Sequence, residues 1–487
     1  MKYLTISLTL LSSPALADIT PHDVLESWHS AFDRVQIDLS VGAQALEDGV
    51  LVLSDVQLAK RNPLSPSPPS IDWVRLSPLP DGAISIALSS TETATPRGFD
   101  GLEITASGSP DKITYHLTAD QLTYSEQSYF TPFITDTEMV VSDLSLLYSQ
   151  WEDAAGHFRA EGKFSAETVA FEWSEAIDFV GNPTDGNVTQ RGALSLTELS
   201  MPFDMTAPAE YFTDLNRPVQ GFPEGLTMDM QLLAKQAALH INGGDVDPEF
   251  TLEISAADSE IALNIGASNL RYLFDFSQIA VVSDNLTFPN QRLTLNLDKL
   301  FLDLSMPFRK SVSAAPFALA ARLENIEMAP AGWDIFDPNS ALARAPASAD
   351  LQVTGEATLL VDIFNQEAMN VLTGPPVHVH TVSLDRLDIR AENAILTGEG
   401  RVLVENSAMT DASGIPEATG QLDFALTGAL AFLDRLGRLP NVDPMATLGA
   451  KGALGMFATP NSGPDSFTSR IEFSEGGHIS VNGQQVK

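Results

Sequence analysis

The sequence predicts a mainly β protein with a few short helices, folded as one or more long, curved antiparallel sheets with an apolar concave face. Three observations support this class. Runs in which every second residue is apolar recur along the chain, glycine-containing turn signals separate them, and helical periodicity is confined to short segments. Successive side chains of a strand point to opposite faces, so each alternating run builds a sheet with one apolar and one polar side.

A helix is predicted near the start of the chain. Thr20 supplies an N-cap, Pro21 occupies the first helical position and Asp23 places an acid in the first turn. Apolar residues then repeat near the helical period as far as Phe32.

The alternating runs predict strands along most of the chain. They include residues 35–41, 84–88, 228–232, 250–254, 261–265, 293–306 and 422–426. In the run 293–306, the parity of the apolar positions changes across Asp298 and Lys299. A bulge or bend is expected there, so that the strand bends and does not end.

Turn signals punctuate these runs at hairpin-like intervals. They are Glu47-Asp48-Gly49, Pro80-Asp81-Gly82, Asn242-Gly243-Gly244 and Asn482-Gly483. The proline-rich residues 62–80 predict an extended surface loop. Leu430, Leu433 and Leu436 predict a second helix that stops at Pro440, and weaker helical patterns lie at residues 208–216, 363–372 and 447–457.

One short repeat is visible. Residues 199–203, Leu-Ser-Met-Pro-Phe, recur at 304–308, each time at the end of an alternating run. Proline cannot donate to the ladder, so it should close the strand or lie at an edge. Two pseudo-repeated halves and chance similarity both remain open, and the predicted organisation is a leader at 1–17, an N-terminal β-rich half at 18–205 and a C-terminal β-rich half at 206–487.

The first residues are typical of a secretory signal peptide. Lys2 precedes a short apolar stretch that ends in Ala15-Leu16-Ala17 before Asp18, which predicts cleavage after Ala17 and a periplasmic protein without a transmembrane span. The 487 residues contain no cysteine, which excludes disulfides, thiolate metal sites and cysteine nucleophiles. The formal charge of −37 disfavours nucleic acid as a partner.

Two segments resemble known chemical motifs. Residues 156–164 have the glycine and lysine spacing of a phosphate-binding loop, but Phe164 replaces the metal-binding hydroxyl, so we interpret them as strand-turn-strand. His378 and His380 would lie on one face of a strand, close enough to share a metal, yet no other histidine has a companion spacing. No catalytic, cofactor-binding or metal-binding residue is therefore assigned, no cofactor is expected, and the ligand-binding residues stay unknown.

Several later segments resemble a known family. They are residues 333–342, 420–430, 455–460, 467–473 and 477–483. These stretches look like an alphaproteobacterial family of secreted proteins of unknown function, number twenty-one twenty-five of the domain-of-unknown-function series. The resemblance implies export and carries over no functional residue. The alternating strands and the pattern Leu-x-Phe-x-Leu-Thr-Gly before a helix are also loosely similar to AsmA-like envelope proteins, which implies a long curled sheet whose concave apolar side holds lipid chains.

These observations favour a non-catalytic periplasmic protein that binds a lipid or another hydrophobic ligand on an amphipathic sheet. The alternative is a structural or protein-interaction component of the cell envelope with an envelope protein as partner. A third hypothesis is an enzyme with an unrecognised carboxylate site.

Overall fold

A computed structural model describes residues 19–60, 71–89, 97–130, 133–177, 187–208, 211, 222–243, 250–285, 291–372, 374–405 and 417–486. The predicted leader 1–17, Gly244 and most of the helical pattern at 208–216 lie outside these residues. The described part is mainly β with five α-helices, and its strands form one antiparallel sheet of 23 strands.

The elements follow one another along the chain in this order. They are α1 (Pro21–Arg34), β1 (Ile37–Glu47), β2 (Val50–Lys60), β3 (Ile71–Pro78), β4 (Ile84–Leu88), β5 (Arg97–Asp100), β6 (Glu103–Ser109), β7 (Lys112–Phe130), β8 (Phe133–Glu152), β9 (Phe158–Ile177), β10 (Asn187–Ala207), β11 (Thr227–Gly243), β12 (Phe250–Ile265), β13 (Asn269–Asp284), β14 (Arg292–Pro307), β15 (Ala315–Met328), α2 (Pro330–Phe336), β16 (Ala347–Leu359), α3 (Gln366–Val371), β17 (Val377–Ala391), β18 (Ala394–Glu405), β19 (Glu417–Thr427), α4 (Ala429–Leu436), α5 (Pro444–Phe457), β20 (Thr459–Pro460), β21 (Ser466–Ser474), a 3-10 turn (Glu475–Gly477), β22 (His478–Val481) and β23 (Gln484–Gln485).

The sheet is an open meander in which nearly every strand pairs with its neighbours in sequence. Exceptions are the short strands β5 and β20, which pair with β7 and β21, so that β4 pairs directly with β6 and β19 with β21. The sheet does not close on itself, because β1 pairs only with β2 and β23 only with β22 within the described chain. The predicted boundary at 205/206 falls within β10, and β10 pairs with β11 on both sides of it, at Met205 with Met228 and at Thr206 with Thr227.

Most local predictions are confirmed. Thr20 and Asp23 form a reciprocal capping box at the start of α1, and the predicted second helix is α4. The patterns at 363–372 and 447–457 correspond to α3 and α5. Asp48 and Gly49 both adopt positive φ between β1 and β2, as a two-residue hairpin turn requires.

Two predictions are wrong. Residues 62–70 of the predicted loop at 62–80 lie outside the described residues, but the rest of it contains β3, in which Val74 and Leu76 are buried. Burial of alternate apolar residues outweighs the nearby prolines there. Pro307 closes β14 as expected, but Pro202 lies inside β10 opposite Lys163. The β10–β11 ladder has a local gap at this proline, and the strand continues beyond it to Ala207.

Candidate ligand-binding face

One face of the sheet carries an unbroken transverse row of uncharged residues, in which each is the cross-strand partner of the next. We define this inner row as Ile84, Ala106, Tyr115, Tyr148, Gly162, Phe203, Met230, Leu263, Tyr272, Leu304, Leu319, Val353, Leu384, Gly400, Leu422 and Ile471. Partners in an antiparallel pair point to the same side, so the row marks an inner face. At a strand spacing of about 4.8 Å, the row runs for about 70 Å.

Apart from the region of helices α4 and α5, few side chains of the inner face are buried over its C-terminal half. Strands β15, β17 and β19 contain no buried residue, and β14 buries only Pro307 at its end. Leu304, Leu319 and Leu422 are half-buried, as expected for side chains that have neighbours only within their own sheet. An apolar sheet face of this size requires a ligand or a partner to remove it from water.

The opposite, outer face carries ion pairs between neighbouring strands. Asp350 lies 3.7 Å from Arg322 and 3.1 Å from Arg386, measured between nitrogen and carboxylate oxygen. Arg390 donates to Asp388 at 2.8 Å, and this hydrogen bond holds the pKa of Asp388 below its usual value. The alternation along these strands therefore separates charge from apolar surface across the thickness of the sheet.

A second transverse line consists of exposed polar residues and interrupts the sheet ladder. We call it the kink row, which contains Asp120, Asp143, Glu167, Glu198, Lys235, Asp258, Gln278, Asp298 and Asn325 on consecutive strands β7 to β15. Its members with positive φ are Asp143, Glu198, Asp258, Gln278 and Asn325. Residues beside the row are buried, namely Ala119, Leu144, Ala166, Leu199, Ala234, Ser259 and Ile279.

The kink row is a line along which the ladder is interrupted and a bend of the sheet is expected. Pairs are skipped at the row, while the register stays the same on its two sides in most of these strand pairs. A local break in the ladder is expected to bend a strand. The predicted bend at Asp298 belongs to this line, although the β13–β14 register is the same on both sides, so no residue is inserted there.

Helix α1 covers the inner face at its N-terminal end. Val24 and Leu25 pack against buried residues of β2 to β4, β6 and β7. The hydroxyl of Tyr115, a member of the inner row, donates to Oγ of Ser27 at 3.1 Å. Burial raises the pKa of Tyr115, and the hydrogen bond to Ser27 partly offsets this effect. This end of the face is therefore closed by a packed helix.

An aromatic cluster closes part of one rim of the sheet. The ring centroid of Phe222 lies 5.5 Å from that of Phe308 and 4.7 Å from that of Phe364. Arg309 fixes these loops by donating to the carbonyl oxygens of Ala267, Phe222 and Pro223 at 2.6 to 2.8 Å. The rim beside β12 to β14 is thus held by packing and by one arginine.

Helices α4 and α5 partly cover the inner face at its C-terminal end and leave an apolar cleft of about 330 Å³. It is lined by Ile389, Ala391, Ala394, Leu396, Leu426, Ala429, Phe432, Leu433, Ala450 and Leu454. The carboxylate of Asp465 accepts hydrogen bonds from the backbone N–H groups of Leu430 and Ala431 at 2.8 and 2.9 Å, which caps α4 from a distant part of the chain.

Both candidate chemical motifs, residues 156–164 and the pair His378 and His380, lie on strands or turns of the sheet. Residues 153–157 form the turn between β8 and β9, so the segment 156–164 comprises the end of this turn and the start of β9, while the strand before the turn, β8, lies outside the segment. His378 and His380 lie on β17, where the β16 register shifts beside His380 and its Nε2 lies 2.8 Å from Oγ1 of Thr358. Among the described residues, no group of three or more histidine, aspartate or glutamate side chains could hold a metal ion.

The described chain also contains no helix with the length and apolar character needed to cross a bilayer. Comparison with protein-family models, with curated proteins and with solved structures finds no match for this chain.

Proposed function

We propose that this protein is a non-catalytic periplasmic protein that binds a lipid or a similar hydrophobic ligand along the inner face of its sheet. The carrying observation is the inner row, which extends for about 70 Å without a charged member. The members of the row in its C-terminal half are only half-buried, and helices α4 and α5 lie against the end of this half alone. Each methylene of an acyl chain buried there would contribute about 0.8 kcal/mol.

Three further features support the proposal. The kink row interrupts the ladder across strands β7 to β15, and such a line of breaks would bend the sheet into a trough suited to a chain-like ligand. Helix α1 blocks one end, whereas the cleft beside Leu396 and Leu426 leaves an apolar opening at the other end. Charged side chains form ion pairs on the outer face, whereas the inner row is uncharged. The two faces would therefore differ strongly in their affinity for an acyl chain.

The test is to release and identify bound lipid from protein purified without detergent, by native mass spectrometry and lipid extraction. Leu319→Glu places a charge in the inner row and should abolish binding, because a carboxylate there would be buried beneath the ligand. Ala318→Glu on the same strand points to the outer face and is the matched control. Wild-type protein that neither retains lipid nor takes up a fluorescent fatty acid would refute the proposal.

A second candidate, an envelope scaffold, is favoured by the free edge at β1. This strand pairs only with β2 in the described chain, and residues 43–47 are all exposed. An exposed edge can accept a strand from a partner. Crosslinking in cells from a site on β1, with identification of the attached protein, would distinguish a scaffold from a lipid carrier.

A further inference from the structure

Helix α5 presents its apolar side outward and its polar side to the protein. Its sequence, PMATLGAKGALGMF, contains two polar side chains, Thr447 and Lys451. Thr447 is buried, and Lys451 forms an ion pair with Asp434 of α4. Apart from Thr447, Lys451 and Leu454, every residue of α5 is exposed. This arrangement is the reverse of a surface helix in a globular protein, whose apolar stripe faces the core.

The exposed side of α5 is large and continuous. The exposed fractions are 69% for Met445, 60% for Leu448, 71% for Met456 and 43% for Phe457. Because Thr447, Lys451 and Leu454 fix the rotation of the helix on α4, these side chains cannot turn inward without breaking the Lys451–Asp434 ion pair. The helix is therefore held with its apolar side toward whatever lies outside the protein.

The charge around α5 differs from that of the whole chain. The protein carries a formal charge of −37, but within α5 there is no carboxylate, and the nearest one in the sequence is that of its N-cap, Asp443. The adjoining α4 and its following turn add Arg435 and Arg438 beside Asp434. Two copies that met through α5 would bring their acidic remainders close together, each chain carrying a formal charge of −37, whereas an uncharged bilayer adds no such repulsion. These observations favour a bilayer of neutral lipids over self-association.

We propose that α5 docks on a lipid bilayer by inserting its exposed apolar side among the headgroups and upper acyl chains. A helix of this length spans about 21 Å, which is less than the hydrocarbon thickness, so it would lie along the surface. Docking goes beyond ligand binding by the inner face, and it would place the apolar cleft between α4 and the sheet next to the membrane. Because the remaining chain is acidic, docking should be weakened by anionic lipid at low salt and restored when salt screens the repulsion.

The absence of cysteine makes a site-specific test possible. Leu448→Cys, labelled with an environment-sensitive fluorophore, should increase its emission severalfold when vesicles of phosphatidylcholine and phosphatidylethanolamine are added. Val312→Cys is the matched control, because Val312 is fully exposed far from α5 in the sequence and should show no change. All variants use the same form of the chain, so any contribution from residues 1–17 is common to them.

A second measurement uses vesicle flotation. The double substitution Met445→Glu and Met456→Glu should reduce the bound fraction about tenfold, whereas Leu46→Glu with Val371→Glu, two other exposed apolar sites, should leave it unchanged. An unchanged signal at position 448 with vesicles would overturn the proposal, as would a signal that rises with protein concentration alone. Leu319→Glu should retain vesicle docking, so failure of docking and failure of ligand binding are distinguishable.

Discussion

The ring of Phe203 on β10 lies against the α-carbon of Gly162 on β9. A methyl group added at Gly162 would stand 2.7 Å from Cζ of Phe203 and would also press on the carbonyl oxygen of Leu147. The same arrangement recurs between Phe317 and Gly355. Large rings over glycines fill the inner face where a strand has no side chain.

Gly162→Ala should therefore lower the free energy of unfolding by about 1–3 kcal/mol, because the added methyl overpacks the site. Urea denaturation measures the effect. Gly374→Ala is the control, since a β-carbon there meets no atom within 4 Å. Equal midpoints for the two variants would show that the ring over Gly162 can move away at no cost.

The kink row requires residues that tolerate positive φ. Asn325 has φ of 50° and donates from Nδ2 to Asp298 at 2.6 Å. Asn325→Val should destabilise the protein by about 1–2 kcal/mol, because a β-branched residue strongly disfavours this conformation. Asn325→Gly loses the same hydrogen bond but accepts the backbone, and it should cost clearly less. If both variants unfold at the same urea concentration, the cost of substituting Asn325 does not come from its backbone conformation.

Glu392 anchors α4 to the sheet. Its carboxylate, 5% exposed, lies 3.5 Å from Nε of Arg435 and accepts a hydrogen bond from the backbone N–H of Arg344 at 3.1 Å. Glu392→Ala should cost about 2–4 kcal/mol, because it leaves the charge of Arg435 without its partner. Hydrogen exchange should accelerate first in the amides of α4. The exposed Glu399→Ala serves as control, and identical protection of α4 in both variants would argue against the anchor.

Stability at high pH should depend on Tyr115. Its pKa is raised by burial, so the folded state keeps the proton at pH values where the unfolded state has lost it. This contribution is fully present below the usual pKa of 10.0 and is lost as the pH rises through the higher folded value. The wild-type urea midpoint should thus fall more steeply above pH 10 than that of Tyr115→Phe. A variant with the same slope as wild type would assign the loss to other groups.

The sequence predicts those parts of the fold that depend on residues close together in the chain. Alternation identifies the strands, and Thr20 identifies α1, because both depend on neighbours a few residues apart. The kink row was predicted at Asp298 alone, where long apolar runs flank it. Elsewhere its members stand in shorter or mixed runs, and only the cross-strand register brings them into line.

The candidate site was less predictable than the strands. An amphipathic sheet follows from the alternation, but the inner row depends on register, which long strands do not encode locally. The sequence predicts that α5 is a helix, but the rotation of α5 on α4 is set by the ion pair between Lys451 and Asp434, which are distant in the sequence. The exposed apolar side could therefore not be read from the sequence, because composition alone predicts that such a helix is buried.

The nearest-neighbour order of the strands has a consequence for how such a molecule can change in length. Each hairpin of the meander adds two consecutive members to the inner row and contacts little beyond the hairpins on either side, so the architecture behaves as a linear array of similar units. Gain or loss of a hairpin in evolution would lengthen or shorten the apolar track by about 10 Å while leaving its two ends unchanged. The number of hairpins that the gene encodes would therefore set the length of the apolar track.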